Sequence, residues 1–348
     1  MVIRLSTPDI NLLDALTTGA GVVLPEEGGV DLASATNGSG PYRVAGWNTG
    51  STITLERVED YWGEPASNAE VVFHYLPDPT AAANALASGE VDLLTNAPAE
   101  TVARFAGDGE YELVEGNSTS WMTLGMNAAG GPLADPVVRS AVRQAIDKPG
   151  LIEVLGGQAA HVGSMAAPSD AWYEDLTDID AYDPEAARAQ LAEAGYEDLS
   201  LSLKVANTYD TRISEYVAAQ LGEVGVDVEI VTMEFATWLE EVYQGGDYEL
   251  TMVLHVDPWT LTYYGNPEYY WNYDNAQAQQ LVDDALGSAT IEERDDRLQA
   301  LARLVSEDAA SDWLYSPSTV IVAHESVSGF PENRITNHFL VSGIAAQP

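Results

Sequence analysis

Residues 248–273, YELTMVLHVDPWTLTYYGNPEYYWNY, decide how the rest of the chain is read. Leu250, Met252, Leu254 and Val256 alternate with their neighbours, the period-two pattern of a strand with one face against a core. Asp257-Pro258 ends it, because proline has no N–H for a ladder and biases the residue before it toward extended or turn geometry. A polar, aromatic loop follows, carrying Trp259, Tyr263, Tyr264, Tyr269, Tyr270, Trp271 and Tyr273. In open α/β sheets ligands bind beyond the carboxyl ends of the strands. This strand end is therefore a candidate binding edge.

Outward from that stretch the pattern is regular. Leu199 to Val205 alternates as a strand, and a helix with Ile213, Tyr216, Val217, Leu221 and Val224 ends at Gly225. Val226 to Ile230 alternates again, and a helix around Trp238, Leu239 and Val242 ends at Gly245-Gly246. The run predicts βαβαβ, with its third strand ending at Asp257. Downstream, Thr290 and Glu293 have the spacing of a capping box for a long helix, and Ser318 to Ala323 reads as a strand.

Upstream, Val2 to Leu5 is a short strand candidate. Tyr42 to Trp47 and Ile53 to Leu55 flank Asn48-Thr49-Gly50 as an antiparallel pair. Val71 to Tyr75 is a strand, Asp78-Pro79 opens a helix that stops at Gly89, and Val91 to Leu94 is a strand again, before a helix over 98–106. Strand, helix and strand in close succession predict a crossover and a parallel sheet here. Residues 116–127, GNSTSWMTLGMN, read as extended without strong alternation. Asp135-Pro136 and Asp183-Pro184 each open a further helix. No internal repeat or low-complexity linker separates the parts, which predicts two α/β units joined by extended crossings.

Charge narrows the function classes. The 348 residues carry 14 Lys plus Arg against 55 Asp plus Glu, a formal net charge of −41. Such a surface repels phosphate backbones and anionic headgroups, so nucleic acid is excluded as the expected partner and membrane-surface binding is disfavoured. No apolar run approaches the ~20 residues of a membrane span. With no cysteine, disulfides, thiolate metal sites and cysteine nucleophiles are all absent.

Several segments, in order, resemble the family 5 extracellular solute-binding proteins of ABC importers, the oligopeptide, dipeptide and nickel binders. They are SGPYRV at 39–44, DYWG at 60–63, ALASGEVDLL at 85–94 and NAAGGPLADPVVRSAVRQAIDK at 127–148. They continue with YDPEAARAQLAEAGY at 182–196, AAQLGEVGVDVEI at 218–230 and YWNYDN at 270–275. The resemblance implies an α/β, two-lobed architecture of the periplasmic-binding-protein type (type II), with mixed sheets and a ligand cleft between lobes. It implies lobe I over 1–126 with the crossing segment, a second lobe over 127–314, and a return segment over 315–348. MVIRLSTPDINLLDALTTG resembles an interior passage shortly before the GPY motif, so the resemblance also implies an N-terminally truncated chain without a signal peptide.

Within that frame, Asp257 resembles the carboxylate that peptide-binding members set against a ligand's amino terminus. The alternative for Asp257 is capping of its own turn with Pro258. His255, two residues earlier on the same sheet face, is read as a polar cleft residue. A metal would need further ligands, and His74, His161, His324 and His338 show no motif spacing. Trp259, Tyr263 and Tyr264 are candidate stacking platforms, whereas Tyr269 to Tyr273 are expected to pack the loop down. Trp121 and Ser120 fall in the crossing segment, which lines the cleft in the family. DYWG and GPY are expected to be structural.

The resemblance implies an extracytoplasmic protein, membrane-anchored in its full-length form, that captures a peptide-like solute and delivers it to permease subunits. A monomer without metal or cofactor is expected. The alternatives are an oligosaccharide- or metal-binding member of the same family, or a non-transporting surface protein. An enzyme is disfavoured because no nucleophile elbow, P-loop, dinucleotide fingerprint or zinc helix motif occurs.

Overall fold

Three Asp-Pro pairs start helices in the way their chemistry dictates. Asp78, Asp135 and Asp183 each accept a backbone N–H from the first turn, from Ala81, Val137 and Ala186, with proline at the first helical position. The carboxylate satisfies a donor the helix cannot, and proline spends no N–H there. A computed structural model describes residues 2–23, 31, 35–333 and 338–347.

Along the chain the strands and helices are β1 (Tyr42–Asn48), β2 (Thr52–Arg57), β3 (Glu70–His74), α1 (Pro79–Ala87), β4 (Leu93–Leu94), α2 (Ala99–Phe105) and β5 (Tyr111–Gly116). Next come β6 (Trp121–Met126), α3 (Pro136–Gln144), α4 (Lys148–Val154), β7 (Ala159–Ala160), α5 (Pro184–Glu193), β8 (Leu199–Ala206), α6 (Thr211–Glu223) and β9 (Val226–Met233). A short helix, Phe235–Trp238, runs into a wider π turn, Leu239–Gln244, before β10 (Leu250–His255). Then follow α7 (Ala276–Leu286), α8 (Ile291–Glu307), β11 (Ser311–Pro317), β12 (Thr319–His324), β13 (Val327–Ser328) and β14 (Ala345–Ala346).

The chain divides into two compact units, Met1–Leu12 with Ser118–Pro317, and Leu13–Asn117 with Ser318–Pro348. It passes from the larger unit to the smaller at 12/13, returns at 117/118 and leaves again at 317/318, so 118–126 belongs with the larger unit. Val2 to Leu5, a strand candidate by sequence, forms no strand and is exposed.

The larger unit holds a six-stranded mixed sheet in the order β7-β11-β6-β10-β8-β9. Strands β8, β9 and β10 are parallel, with Leu203 opposite both Leu250 and Ile230, while β6 runs antiparallel to β10 and β11. Alternation is clean in β8, whose Leu199, Leu201, Leu203 and Val205 are buried on one face. On that face lie α3, α4, α5 and α6, through Val142, Leu151, Leu191 and Val217. The opposite face carries Trp121, Val253 and the 259–273 aromatics under α7 and α8. Strand β6 is buried at every position. Covered on both faces, it needs no polar alternation, which explains its patternless sequence.

A neutral set of four charges is buried beneath this sheet. Asp312, 1% exposed, lies 3.2 Å from Lys148 Nζ and 3.6 Å from Arg143 Nε, and Asp180 lies 3.3 Å from Arg143 Nη1. Burial pushes the Lys148 pKa below its ordinary value, and Asp312 opposes that shift.

The smaller unit contains two three-stranded antiparallel sheets, β1-β2-β3 and β4-β12-β5, and the pair β13-β14. The hairpin expected at Asn48-Thr49-Gly50 forms, and Gly50 takes the left-handed φ of +75° that the turn requires. The parallel crossover expected over 71–94 does not form. Strands β3 and β4 flank α1 as predicted, but among the described residues they sit in separate sheets, β3 paired to β2 and β4 to β12.

Candidate functional site

The carboxyl end of β10 lies at one edge of the large sheet. His255 is the register partner of Trp121, the first residue of antiparallel β6, and this brings Ser120 and Trp121 beside His255 and two residues from Asp257. The neighbouring parallel strands end at the same edge. Asn207 follows β8 and donates from Nδ2 to Glu234 Oε1, beyond β9, at 2.7 Å. Tyr209 reaches across, its hydroxyl oxygen accepting the Leu254 N–H at 3.1 Å.

Asp257 makes its own turn. Oδ1 accepts the Trp259 N–H at 2.9 Å, the backbone carbonyl accepts the Thr260 N–H at 3.0 Å, and Oδ2 accepts the Tyr263 hydroxyl at 2.5 Å. The turn-capping alternative is therefore realised, and Tyr263 orients the carboxylate. Each carboxylate oxygen retains a further lone pair for a donor. Burial, then the bond to Asp257, pushes the Tyr263 pKa well above the phenol range.

His255 Nε2 lies 3.0 Å from the Tyr270 hydroxyl, with the Tyr270 and Trp271 rings packed against the imidazole. Burial pushes its pKa down to about 4, against the attraction of the Asp257 carboxylate. The ring is thus neutral near neutral pH and able to act as donor or acceptor according to its tautomer.

The aromatic candidates separate into three roles. Trp121 and Tyr264 are both fully buried, Tyr264 stacked on Trp271 at 4.1 Å, so both support the edge from within the core. Trp259 is half-buried and stacks on Trp172 at 5.4 Å, with the Arg294 guanidinium 5.1 Å from its ring. Tyr263 stays at the edge through Asp257. Tyr270, Trp271 and Tyr273 pack the loop, as expected.

Sequence reading missed Tyr209, the Asn207–Glu234 pair, and the Trp172–Arg294 stack. The first two were accessible from the rule that ends of adjacent parallel strands share an edge. Trp172 and Arg294 carry no local signal. Asp170, beside this stack, is pushed up to about 6 by burial; the Ala167 N–H opposes the shift and Asp295 adds to it. Among the described residues no group of three or more His, Asp or Glu is placed to hold a metal ion.

A mixed α/β sheet, in a chain that passes three times between two compact units, fits the two-lobed fold of the type II periplasmic binding proteins. The ABC transporter-associated periplasmic binding protein DppA of Helicobacter pylori, in complex with a peptide, superposes with a TM-score of 0.72 at 20% identity, covering 89% of this chain and 63% of that one. Residues 1–281 match the profile of the bacterial extracellular solute-binding proteins, family 5 Middle, and the chain belongs to that family. Heme-binding protein A of Haemophilus influenzae is 26% identical over 268 residues, 75% of this chain and 46% of its own. A glutathione-binding protein of Salmonella typhimurium is 27% identical over 240 residues, 68% of this chain and 47% of its own. The chain spans about half the length of the curated relatives it matches. No helix among the described residues is long and apolar enough to cross a membrane.

Proposed function

We propose that the chain is the ligand-capturing part of an extracytoplasmic solute-binding component of an ABC importer, taking a peptide-like small solute and delivering it to permease subunits. It performs no catalysis, and it is held at the membrane by an anchor in the cell. The observation that supports this reading is the register of β6 on β10, which gathers Ser120, His255 and Asp257 at the carboxyl edge of a parallel strand set. Asp257 takes the ligand's ammonium through its remaining lone pairs, a charge-assisted bond stronger than a neutral one. His255, Ser120 and Tyr263 supply neutral polar contacts, and Trp259 offers its ring. Trp121 and Tyr264 hold the edge rigid.

Calorimetric titration with a panel of di- and tripeptides, each also as its N-acetyl form, tests the assignment. Free-amine peptides are expected to bind saturably without turnover, and Asp257→Asn to weaken them by at least about tenfold, the equivalent of ~1.4 kcal/mol. Unchanged affinity in Asp257→Asn removes the ammonium anchor. No peptide binding at about 1 mM removes the peptide reading itself.

A further inference from the structure

The carboxyl edge of the parallel strands holds a second carboxylate, Glu234, which directly follows β9. The ladder continues one step past the strands to reach it. Ala206 pairs with Met233, and the Asn207 N–H then donates to Met233 O at 2.8 Å. The order β10-β8-β9 sets Glu234 two strand spacings, about 10 Å, across from the strand that leads to Asp257.

Glu234 stands at the N-cap of the short helix Phe235–Trp238, yet its side chain makes no capping bond there. Its Oε1 instead accepts the Asn207 amide at 2.7 Å, and both residues are exposed. An amide donor orients a carboxylate without neutralising it, and leaves lone pairs for a further donor. Among the described residues no cation pairs with Glu234. The cations of the adjoining elements are committed elsewhere: Lys204 of β8 to Glu241 and Asp247, and Arg212 of α6 to Asp210 and the Val154 carbonyl.

Aromatic surface lies beside this carboxylate. Phe235, 39% exposed, stacks on Trp238 at 5.7 Å with 11° between the rings. Trp238 is held in turn by its Nε1–H, which donates to Thr251 Oγ1 at 2.8 Å. Toward β10, the half-buried Tyr209 spans the gap through its bond to the Leu254 N–H. A long basic side chain can lay its aliphatic stem on such rings while its charged head meets a carboxylate.

We infer that Glu234, with Phe235 and Tyr209, forms a subsite for a second cationic group, so that the preferred solute is a peptide with both a free amine and a Lys or Arg side chain. The inference rests on Asp257 holding the ligand's ammonium. A basic residue at the second or third position spans the gap, because an extended chain advances about 3.3–3.6 Å per residue and the side chain supplies the remainder. A neutral side chain gains only the ring contacts. An acidic one meets like charge at Glu234, which sets the direction of the selectivity.

The test is calorimetric titration of the full chain with tetrapeptides that begin with a free-amine Ala and carry Lys at residue 2 or 3. Each is paired with a norleucine peptide, which keeps the stem and lacks the charge. At least one Lys peptide should bind wild type about tenfold or more tightly than its norleucine partner. Glu234→Gln keeps an oxygen for the Asn207 amide and removes the charge, and should bring that ratio within about twofold. Glu193→Gln, exposed at the end of α5 that leads to the start of β8, changes net charge equally and should keep the ratio. That control separates the subsite from the general field of a chain with net charge −41. Asp257→Asn should weaken both peptides of a pair in proportion. A ratio near one in wild type, a ratio that survives Glu234→Gln, or one lost equally in Glu193→Gln overturns the subsite, while saturable binding of the norleucine peptides still upholds the Asp257 anchor. No binding of any of these peptides at about 1 mM removes the anchor and the subsite together.

Discussion

Replacing Asp312 by asparagine isolates the energetics of the buried charge set. In the native chain two cations, Arg143 and Lys148, face two anions, Asp180 and Asp312, and the group is neutral. Asp312→Asn leaves one excess positive charge under the sheet. Arg143 keeps Asp180 and the Ser306 carbonyl, while Lys148 keeps the Arg143 carbonyl at 3.0 Å and faces a neutral amide in place of its carboxylate. Removing one partner of a buried pair costs about 3–5 kcal/mol, because the surviving charge has lost both water and its counter-ion. Adding Lys148→Met to that variant removes the excess charge, and the pair should couple by about 1.5–3 kcal/mol. Urea unfolding followed by tryptophan fluorescence reads this out, since six of the eight tryptophans, all but Trp47 and Trp62, lie in the larger unit. The midpoint should fall at constant slope. The pH dependence has a defined sign. Burial already lowers the Lys148 pKa, and losing Asp312 lowers it further. The unfolded variant then binds more protons than the native one, so the deficit narrows as pH rises toward the ordinary lysine range. A deficit below about 1 kcal/mol, or a double variant equal to the sum of the singles, refutes the argument.

Two other outcomes are specific to single residues. Between pH 4 and 6.5 the unfolded chain protonates His255 while the native chain, with its pKa near 4, does not, so stability due to His255 falls as pH falls through that window. Asp170 has the opposite sign: its native pKa near 6 lies above the ordinary 3.8, so its contribution is full below 3.8 and is lost as pH rises through 6. Against wild type, His255→Asn should gain about 1–3 kcal/mol on acidification through its window, and Asp170→Asn should gain a similar amount as pH rises through its own. Chemical denaturation of the three proteins at several pH values decides this, and parallel curves would contradict both assignments. Gly163→Ala places a Cβ 2.2 Å from the Leu176 carbonyl carbon and 2.5 Å from the Thr177 nitrogen, backbone atoms that cannot turn aside. It should cost about 1–3 kcal/mol by the same denaturation. Gly130→Ala, with nothing within 4 Å, should be near neutral, and equal effects at the two sites would refute the steric account.

Sequence pattern was most informative where one covered face met one open face. The β8-α6-β9 run and β10 were legible because their alternation and terminal glycines are local properties. Strand β6 was not, because burial on both faces erases the period. The 71–94 misreading has a different cause. Strand-helix-strand order was read correctly, but which edges pair depends on partners far along the chain, and β4 pairs with β12 instead. At the ligand edge, the strand end at Asp257 was legible from its Pro and the aromatics after it. Its bond to Tyr263, and the seating of Trp259 on Trp172 and Arg294, were not, since those contacts follow from loop closure.

The cations show how composition and fold constrain one another. Of only 14 Lys and Arg residues, Arg139, Arg143, Lys148 and Arg294 are buried. Arg139 and Arg143, one turn apart on α3, reach the carboxyl end of α8, where Arg139 donates to the carbonyls of Asp308 and Ala309 at 2.9 Å and Arg143 to that of Ser306. Carbonyls at a helix end lack intrahelical donors and carry the negative pole of its dipole, so a cation there is doubly favoured. Arg294 serves the other face, its guanidinium set against Trp172 and Trp259 and bonded to Asn11 and Asp295. Each of these positions uses a positive charge for a reason internal to the fold, in a chain otherwise poor in them. Their burial leaves the surface more one-sided than the net charge of −41 alone conveys. An exposed field of that sign attracts cationic groups and repels anionic ones over a Debye length. That is the field in which an ammonium-bearing ligand would approach the carboxylate at the end of β10.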